Sequence, residues 1–199
     1  EPTIPQVPLL RYNEKMVFDG VDNGVTATVG STVLSSYTIS CWITPHELSA
    51  YARIVQVDDS TYRYLGIHSD GKIISGYSSG GWSELMTTAT VSVGELHHIV
   101  LVDNDTNTTI YIDGVGETIS NSLQVDGPSV IIGKYSSTNS FSGIIDDVSY
   151  FNTALSATEV QELFNDGVAL DATTHSKADN LVGYWRNDGI SSWLDRTEI

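Results

Sequence analysis

Short apolar runs, each cut off by Gly, Asn, Asp or Ser, recur along the 199-residue chain. The runs are rich in Val, Ile, Tyr and Thr, which pack well on a pleated surface. Strands are expected at Met16–Phe18, Val25–Val29, Tyr37–Thr44, Ala52–Val57, Tyr62–His68, Lys72–Tyr77, His97–Val102, Thr108–Ile112, Ser129–Tyr135, Gly143–Phe151 and Leu181–Trp185. Between 37 and 43, alternation puts Tyr37, Ile39, Cys41 and Ile43 on one face and Thr38, Ser40 and Trp42 on the other. Asp70-Gly71 and Asp113-Gly114 are tight-turn signals, and 103–107 (Asp-Asn-Asp-Thr-Asn) reads as a polar hairpin tip. Many short strands at this spacing predict an all-β sandwich or barrel.

One segment reads as helix. Ser156 and Glu159 form a capping box, Val160, Leu163 and Phe164 give an apolar stripe, and Gly167 is the expected stop. Such a helix is an accessory packed on the sandwich. The segment 166–180 is polar and reads as a surface connection.

Charge narrows the partners. The net charge is −16 and the pI about 4.3, which disfavours phosphate backbones and anionic membrane surfaces. No apolar run approaches the roughly 20 residues of a membrane helix, and no signal-peptide pattern is visible. The chain begins Glu1-Pro2 rather than with Met, so a fragment or processed form is expected. Its one cysteine, Cys41, excludes an intrachain disulfide and a cysteine zinc site, and reads as a small buried hydrophobe.

Four stretches, in this order, resemble the laminin-G-like jelly-roll family, relatives of the concanavalin-type lectins and glucanases. They are Val17-Phe18-Asp19-Gly20-Val21-Asp22; the strand 37–43; Glu95-Leu96-His97-His98-Ile99-Val100 with Tyr111-Ile112-Asp113-Gly114; and 141–150 followed by Ala154-Leu155-Ser156 and Glu159. The third has Leu96 where the family has Trp. The resemblance implies a two-sheet antiparallel β-sandwich with one short accessory helix. The organisation expected is an N-terminal arm at 1–14, the sandwich at 15–167, and a connection and strand at 168–199. The strand Leu181–Trp185 is similar to the family's first strand, so it either completes this sandwich or opens a second repeat. The tail wording around Asn187-Asp188-Gly189 and Trp193-Leu194-Asp195-Arg196 is similar to modules in marine tailed-phage structural proteins.

The resemblance also implies a structural calcium ion, held by Asp19, Asp22 and Asp146, with Asp147 a lesser candidate. Calcium takes 6–8 oxygen ligands. The tip at 103–107 is no EF-hand, since position six is Thr108 and position twelve Gly114. Asn104-Asp105-Thr106 and Asn107-Thr108-Thr109 fit glycan-acceptor patterns. Adjacent His97 and His98 point to opposite faces and cannot share a metal.

No enzyme is expected. The nine glutamates show no Glu-x-Asp-x-Glu strand of the kind that places two carboxylates about 5–5.5 Å apart for retaining chemistry. No Gly-x-Ser-x-Gly elbow and no lyase motif occurs. Sugar binding is the positive reading: Tyr77 and Trp82 flank a Gly-rich segment, an aromatic platform among polar groups. The function expected is a calcium-stabilised recognition or adhesion module in a larger extracellular, cell-surface or virion protein. Its partner is a glycan or a neighbouring protein subunit, homo-oligomerisation is left open, and neither nucleic acid nor membrane insertion is involved. The rival is a decoration domain of a phage virion or surface protein with no sugar ligand.

Overall fold

The computed structural model describes residues 16–30, 33–57, 63–78, 82–119, 125–126, 129–135, 139–186 and 194–195. The expected arm at 1–14, the Gly-rich segment 79–81 and most of the tail wording lie outside the described residues. The strands are β1 Val17–Asp19, β2 Val25–Thr28, β3 Val33–Leu34, β4 Ser36–Pro45, β5 Ala52–Val57, β6 Arg63–Ile67, β7 Lys72–Ser78, β8 Trp82–Thr90, β9 His97–Asn104, β10 Thr108–Ile112, β11 Val115–Thr118, β12 Val125–Asp126, β13 Ser129–Ile132, β14 Ser142–Phe151, β15 Leu181–Arg186 and β16 Leu194–Asp195; the helix α1 is Ala157–Phe164.

Two antiparallel sheets form the sandwich. One runs β11-β10-β9-β4-β14-β15-β16, with β1 also on β14; the other runs β2-β13-β5-β6-β7-β8; β3 and β12 pair separately. Between the sheets the inward rows interdigitate: Ile39, Cys41, Ile43, Ile99, Leu101, Ile145 and Val148 from the first meet Ile54, Val57, Leu65, Ile67, Ile73, Val130 and Ile132 from the second. Cys41 is buried here, and burial pushes its thiol pKa up, so it is an inert packing group. β15 pairs with β14 and Trp185 joins the same core, so Leu181–Arg186 is a strand of this sandwich.

A second apolar cluster lies on the other side of the first sheet. Val100, Val102, Phe151 and Tyr184 are covered by Val160 and Leu163 of α1 and by Leu155 and Ala172. The capping box forms as expected, Ser156 Oγ accepting from the Glu159 N–H and the Glu159 carboxylate accepting from the Ser156 N–H. The helix stops earlier than Gly167: Asn165 takes the left-handed conformation (φ 45°) as the cap, and a 3-10 turn follows. His175 pins the connection onto the helix. Its Nδ1 accepts from the Lys177 N–H, so Nε2 carries the proton and donates to the Glu159 carbonyl at 3.0 Å.

One polar pair is buried in the sandwich. Arg63 on β6 reaches across to Asp103 at the end of β9, Nη2 to Oδ2 3.3 Å, and donates to Thr108 Oγ1 at 2.8 Å; Thr108 in turn donates to Asp103 at 2.9 Å. Both charged groups are excluded from solvent. The hairpin tip is thus solvated only beyond Asp103.

The longest missed strand is β8. Its sequence, Trp-Ser-Glu-Leu-Met-Thr-Thr-Ala-Thr, carries no Val or Ile, because it is an edge strand with a largely exposed far half. Its free edge donors are met from the opposite sheet: the Glu117 carboxylate of β11 accepts from the Thr88 N–H at 2.8 Å and the Thr88 hydroxyl at 3.0 Å. That side chain blocks an edge that would otherwise pair with another chain.

Candidate functional site

The outer face of the six-stranded sheet is where polar and aromatic groups collect. Thr26, Ile131, Gln56, Tyr64, Gly76 and Glu84 stand opposite one another in a single rung across β2, β13, β5, β6, β7 and β8. The next rung is Arg53, Gly66, Ile74 and Met86. Alternation turns these positions away from the core, whose members on β6 are Leu65 and Ile67. Arg53, Gln56, Tyr64 and Ile74 are nevertheless buried, and they belong to neither apolar cluster.

Two glycines explain the packing. A Cβ on Gly76 would overlap the Tyr64 ring, and one on Gly66 would crowd it. The ring therefore lies flat along the sheet, and its hydroxyl reaches across Gly76 to donate to Glu84 at 3.0 Å. The Arg53 guanidinium stacks on the ring, 3.0 Å from its centroid, and lies 5.3 Å from the exposed ring of Tyr135. Burial lowers the Arg53 pKa to about 10 against the attraction of Glu84. At that value the group is a permanent cation at neutral pH. Arg53, Gln56 and Tyr64 are thus shut away from solvent beneath this face, and what it presents is the half-buried Glu84 carboxylate and the exposed Tyr135 ring.

The two aromatics expected to bind a ligand stand near the paired ends of two strands, and the Gly-rich segment between them lies outside the described residues. Tyr77 is the penultimate residue of β7, half-buried and paired with Ser83, and Trp82 opens β8 opposite Ser78. β7 and β8 pair up to Ser78 and Trp82. Tyr77 takes the opposite parity from Gly76.

The three aspartates expected to hold calcium are not assembled. Asp19 ends β1 opposite Ser142, whereas Asp146 is four residues further along β14, opposite Trp42. That separates them by about 13 Å along the strand, too far for one ion with ligand bonds of about 2.3–2.6 Å. Among the described residues no group of three His, Cys, Asp or Glu is arranged to hold a metal ion. Asp19 instead closes its own loop. Its Oδ1 accepts from the Val21 N–H at 2.9 Å and from Asp22 at 3.3 Å, and these bonds, Val21 first, hold its pKa down. Asp22 is exposed, and its carbonyl accepts from the Lys134 ammonium at 3.1 Å, while Ser140 donates to the Val21 carbonyl at 2.8 Å. An ammonium and a hydroxyl from the β13–β14 connection already tie the loop down. An ion at a hundredfold excess over its Kd adds about 2.7 kcal/mol, worth several degrees of melting temperature. We expect no shift between EDTA and millimolar calcium, and a rise of several degrees would restore the metal.

Asp146 and Asp147 occupy a bulge in β14. Asp147 has φ 47°, is buried, and accepts a hydrogen bond from the Tyr184 hydroxyl. A Ser–His contact exists elsewhere, Ser40 Oγ to His98 Nε2 at 2.7 Å. It has no third member: His98 Nδ1 makes no hydrogen bond among the described residues, and the ring stacks on Trp42 and Phe164. Burial lowers the His98 pKa to about 3. The pair is neutral, shielded under α1, and out of reach of a substrate. His97 faces the other way and bonds Asp113 at 2.8 Å.

A two-sheet antiparallel sandwich with an accessory helix and a polar-aromatic sheet face defines a lectin-type jelly roll. A laminin G family model, described as concanavalin A-like lectin/glucanases superfamily, matches residues 19–161, and the chain belongs to that family. No curated protein matches it in sequence. Among solved structures it is similar to domain 4 of AbnA, a GH43 extracellular arabinanase from Geobacillus stearothermophilus, in complex with arabinotriose (20% identity, 74% of each chain covered, TM-score 0.63). It is also similar to a heptameric SAP-like pentraxin from Limulus polyphemus (17%, 92% of each chain, TM-score 0.62). A candidate carbohydrate-binding protein from Bacteroides ovatus aligns over 92% of this chain and 56% of its own length (16%, TM-score 0.64). At these identities the likeness is one of fold.

Proposed function

We propose that this protein is a non-catalytic glycan-binding module of a larger extracellular, cell-surface or virion protein, and that the outer face of the six-stranded sheet is its binding surface. The observation that carries the reading is the rung Gln56–Tyr64–Gly76–Glu84, with Arg53 stacked on Tyr64. Sugars are held by ring stacking plus hydrogen bonds to hydroxyls, and the exposed Tyr135 ring beside Arg53 and the half-buried Glu84 carboxylate supply one of each. Two of the similar structures name a carbohydrate in their own descriptions, which supports the class of ligand. The reading requires no metal. Its rival is an assembly role in a phage virion or surface protein, supported by the pentraxin's heptameric state.

Titration of a neutral oligosaccharide panel, followed by calorimetry, tests the reading. Tyr135→Ala removes an exposed ring, and Glu84→Gln removes the charge of a half-buried carboxylate. Each is expected to weaken binding about tenfold, a loss of about 1.4 kcal/mol, with melting temperature nearly unchanged. A concentration-dependent oligomer in light scattering, with no response to any sugar, would favour the assembly role instead.

A further inference from the structure

We propose that the outer face takes its sugar at one end, on the exposed ring of Tyr51, with His68 accepting a hydrogen bond from a sugar hydroxyl; the inference rests on the glycan-binding reading above. Tyr51 and His68 stand one residue beyond the Ala52–Ile67 pair of β5 and β6. Ala52 and Ile67 point into the core, so His68 takes the outward parity. The two rings meet edge to face, 5.6 Å between centroids and 72° between planes. Both can be reached: Tyr51 is 37% exposed and the His68 side chain 26%. This end is continuous with the face described above. The Arg53 N–H donates to the Asn139 carbonyl at 3.0 Å, the Asn139 amide donates to the Tyr51 carbonyl at 3.3 Å, and the exposed Tyr135 ring lies 5.3 Å from the Arg53 guanidinium.

Two features separate this pair from an ordinary loop aromatic. Tyr51 has φ 63°, a left-handed backbone that a bulky side chain adopts only under strain. The turn it sits in, closed by the Ala52 N–H on the Ser49 carbonyl at 3.4 Å, needs no ring, and glycine would hold it without strain. The second feature is the fixed tautomer of His68. Its Nδ1 lies 2.8 Å from Asp70 Oδ1, and a carboxylate only accepts, so Nδ1 carries the proton and the lone pair of the neutral imidazole is left on Nε2. Asp70 is itself held, accepting from the Lys72 N–H at 3.2 Å and pairing with its ammonium at 3.0 Å. It is the positioning residue. Nε2 has no hydrogen-bond partner among the described residues. A sugar hydroxyl supplies the donor that Nε2 lacks, while the Tyr51 ring takes an apolar face of the sugar.

Calorimetry with neutral trisaccharides of arabinose, xylose, galactose and glucose, and with monodeoxy forms of the tightest binder, tests the pair. Tyr51→Phe is expected to bind like wild type. Tyr51→Gly is expected to bind at least about tenfold more weakly and yet to melt no lower than wild type, because glycine relieves the left-handed backbone. His68→Phe keeps a ring beside Tyr51 but removes Nε2, and is expected to lose about tenfold. One deoxy position that weakens wild-type binding should have no effect in His68→Phe, since the bond it deletes is already gone. Deoxy penalties that are all unchanged in His68→Phe overturn the assignment of His68. Binding by Tyr51→Gly at wild-type strength overturns the inference, while the glycan reading survives as long as Tyr135→Ala and Glu84→Gln still weaken binding. A Tyr51→Gly that melts well below wild type makes the ring a packing group and overturns its assignment as a platform. If wild type binds no sugar of the panel, the glycan reading falls and this inference with it.

Discussion

Asp103→Ala is expected to lower the melting temperature by about 6–20 °C. Arg63 and Asp103 are both shut away from water, and the carboxylate also accepts from Thr108 and from the Asp105 N–H at 3.2 Å. Removing it leaves a guanidinium inside the sandwich without its counter-charge. Breaking a buried pair in this way costs about 3–5 kcal/mol, against a total stability of about 5–15 kcal/mol. For a domain of this size each kcal/mol is worth about 2–4 °C. The pair itself contributes much less than its disruption costs. Arg63→Met combined with Asp103→Leu should therefore recover most of the loss, because an apolar pair fills the same space with no charge to desolvate. The cycle of the two single and one double variants isolates the coupling. A single Asp103→Ala that melts within a degree or two of wild type would mean that water reaches Arg63.

The pair also shows what the sequence leaves unsaid. Apolar periodicity locates β5 and β10 to the residue, at Ala52–Val57 and Thr108–Ile112, because each is a hydrophobic row bounded by turn residues. The helix announces itself through Ser156 and Glu159, a local device that needs no tertiary information. Asp103, by contrast, looks like the first residue of a polar tip, and only the packing of β6 against β9 reveals that it is buried. Edge strands are equally quiet. β8 and β11 carry few apolar residues, since half of each looks outward, and alternation is faint there.

The candidate site was legible only in part. An aromatic platform near Trp82 is a reading of composition, whereas the register that joins Gln56, Tyr64 and Glu84 over β5, β6, β7 and β8 spans nearly thirty positions of sequence. Two signals could have pointed there. Gly66 and Gly76 interrupt otherwise apolar strands, and glycine inside a strand marks a close approach. Arg53 sits within the apolar run Ala52–Val57, where a charge demands a partner. The separation of the expected calcium ligands was hidden for a related reason. Motif identity placed Asp19 and Asp146 at matching family positions, but the distance between them is set by the pairing of β1 with β14, which sequence similarity does not specify.

The second large effect concerns Asp147, where we expect stability to fall as pH rises from about 4 to about 7. The carboxyl is buried in the β14 bulge, and burial raises its pKa to about 7, with the neighbouring Asp146 charge adding to the rise. An unfolded Asp titrates near 3.9. Between those values the folded chain retains a proton that the unfolded chain has released, so raising the pH favours unfolding until the folded pKa is passed. Three pKa units at about 1.4 kcal/mol each set the scale at on the order of 4 kcal/mol. Carboxylates with lowered pKa values, such as Asp19 and Glu117, act in the opposite sense and in a different window: their contribution is lost below about pH 4. Asp147→Asn separates the two. Asn tolerates the left-handed backbone at φ 47° and keeps an oxygen to accept from the Tyr184 hydroxyl, but it does not ionise. The melting temperature of Asp147→Asn relative to wild type should therefore rise steadily between pH 4 and 7 and level off above it. Any fixed cost of the amide shifts that curve without changing its shape, so a difference independent of pH would show that Asp147 is ionised in the folded protein throughout, its charge held by Arg186 at 3.8 Å.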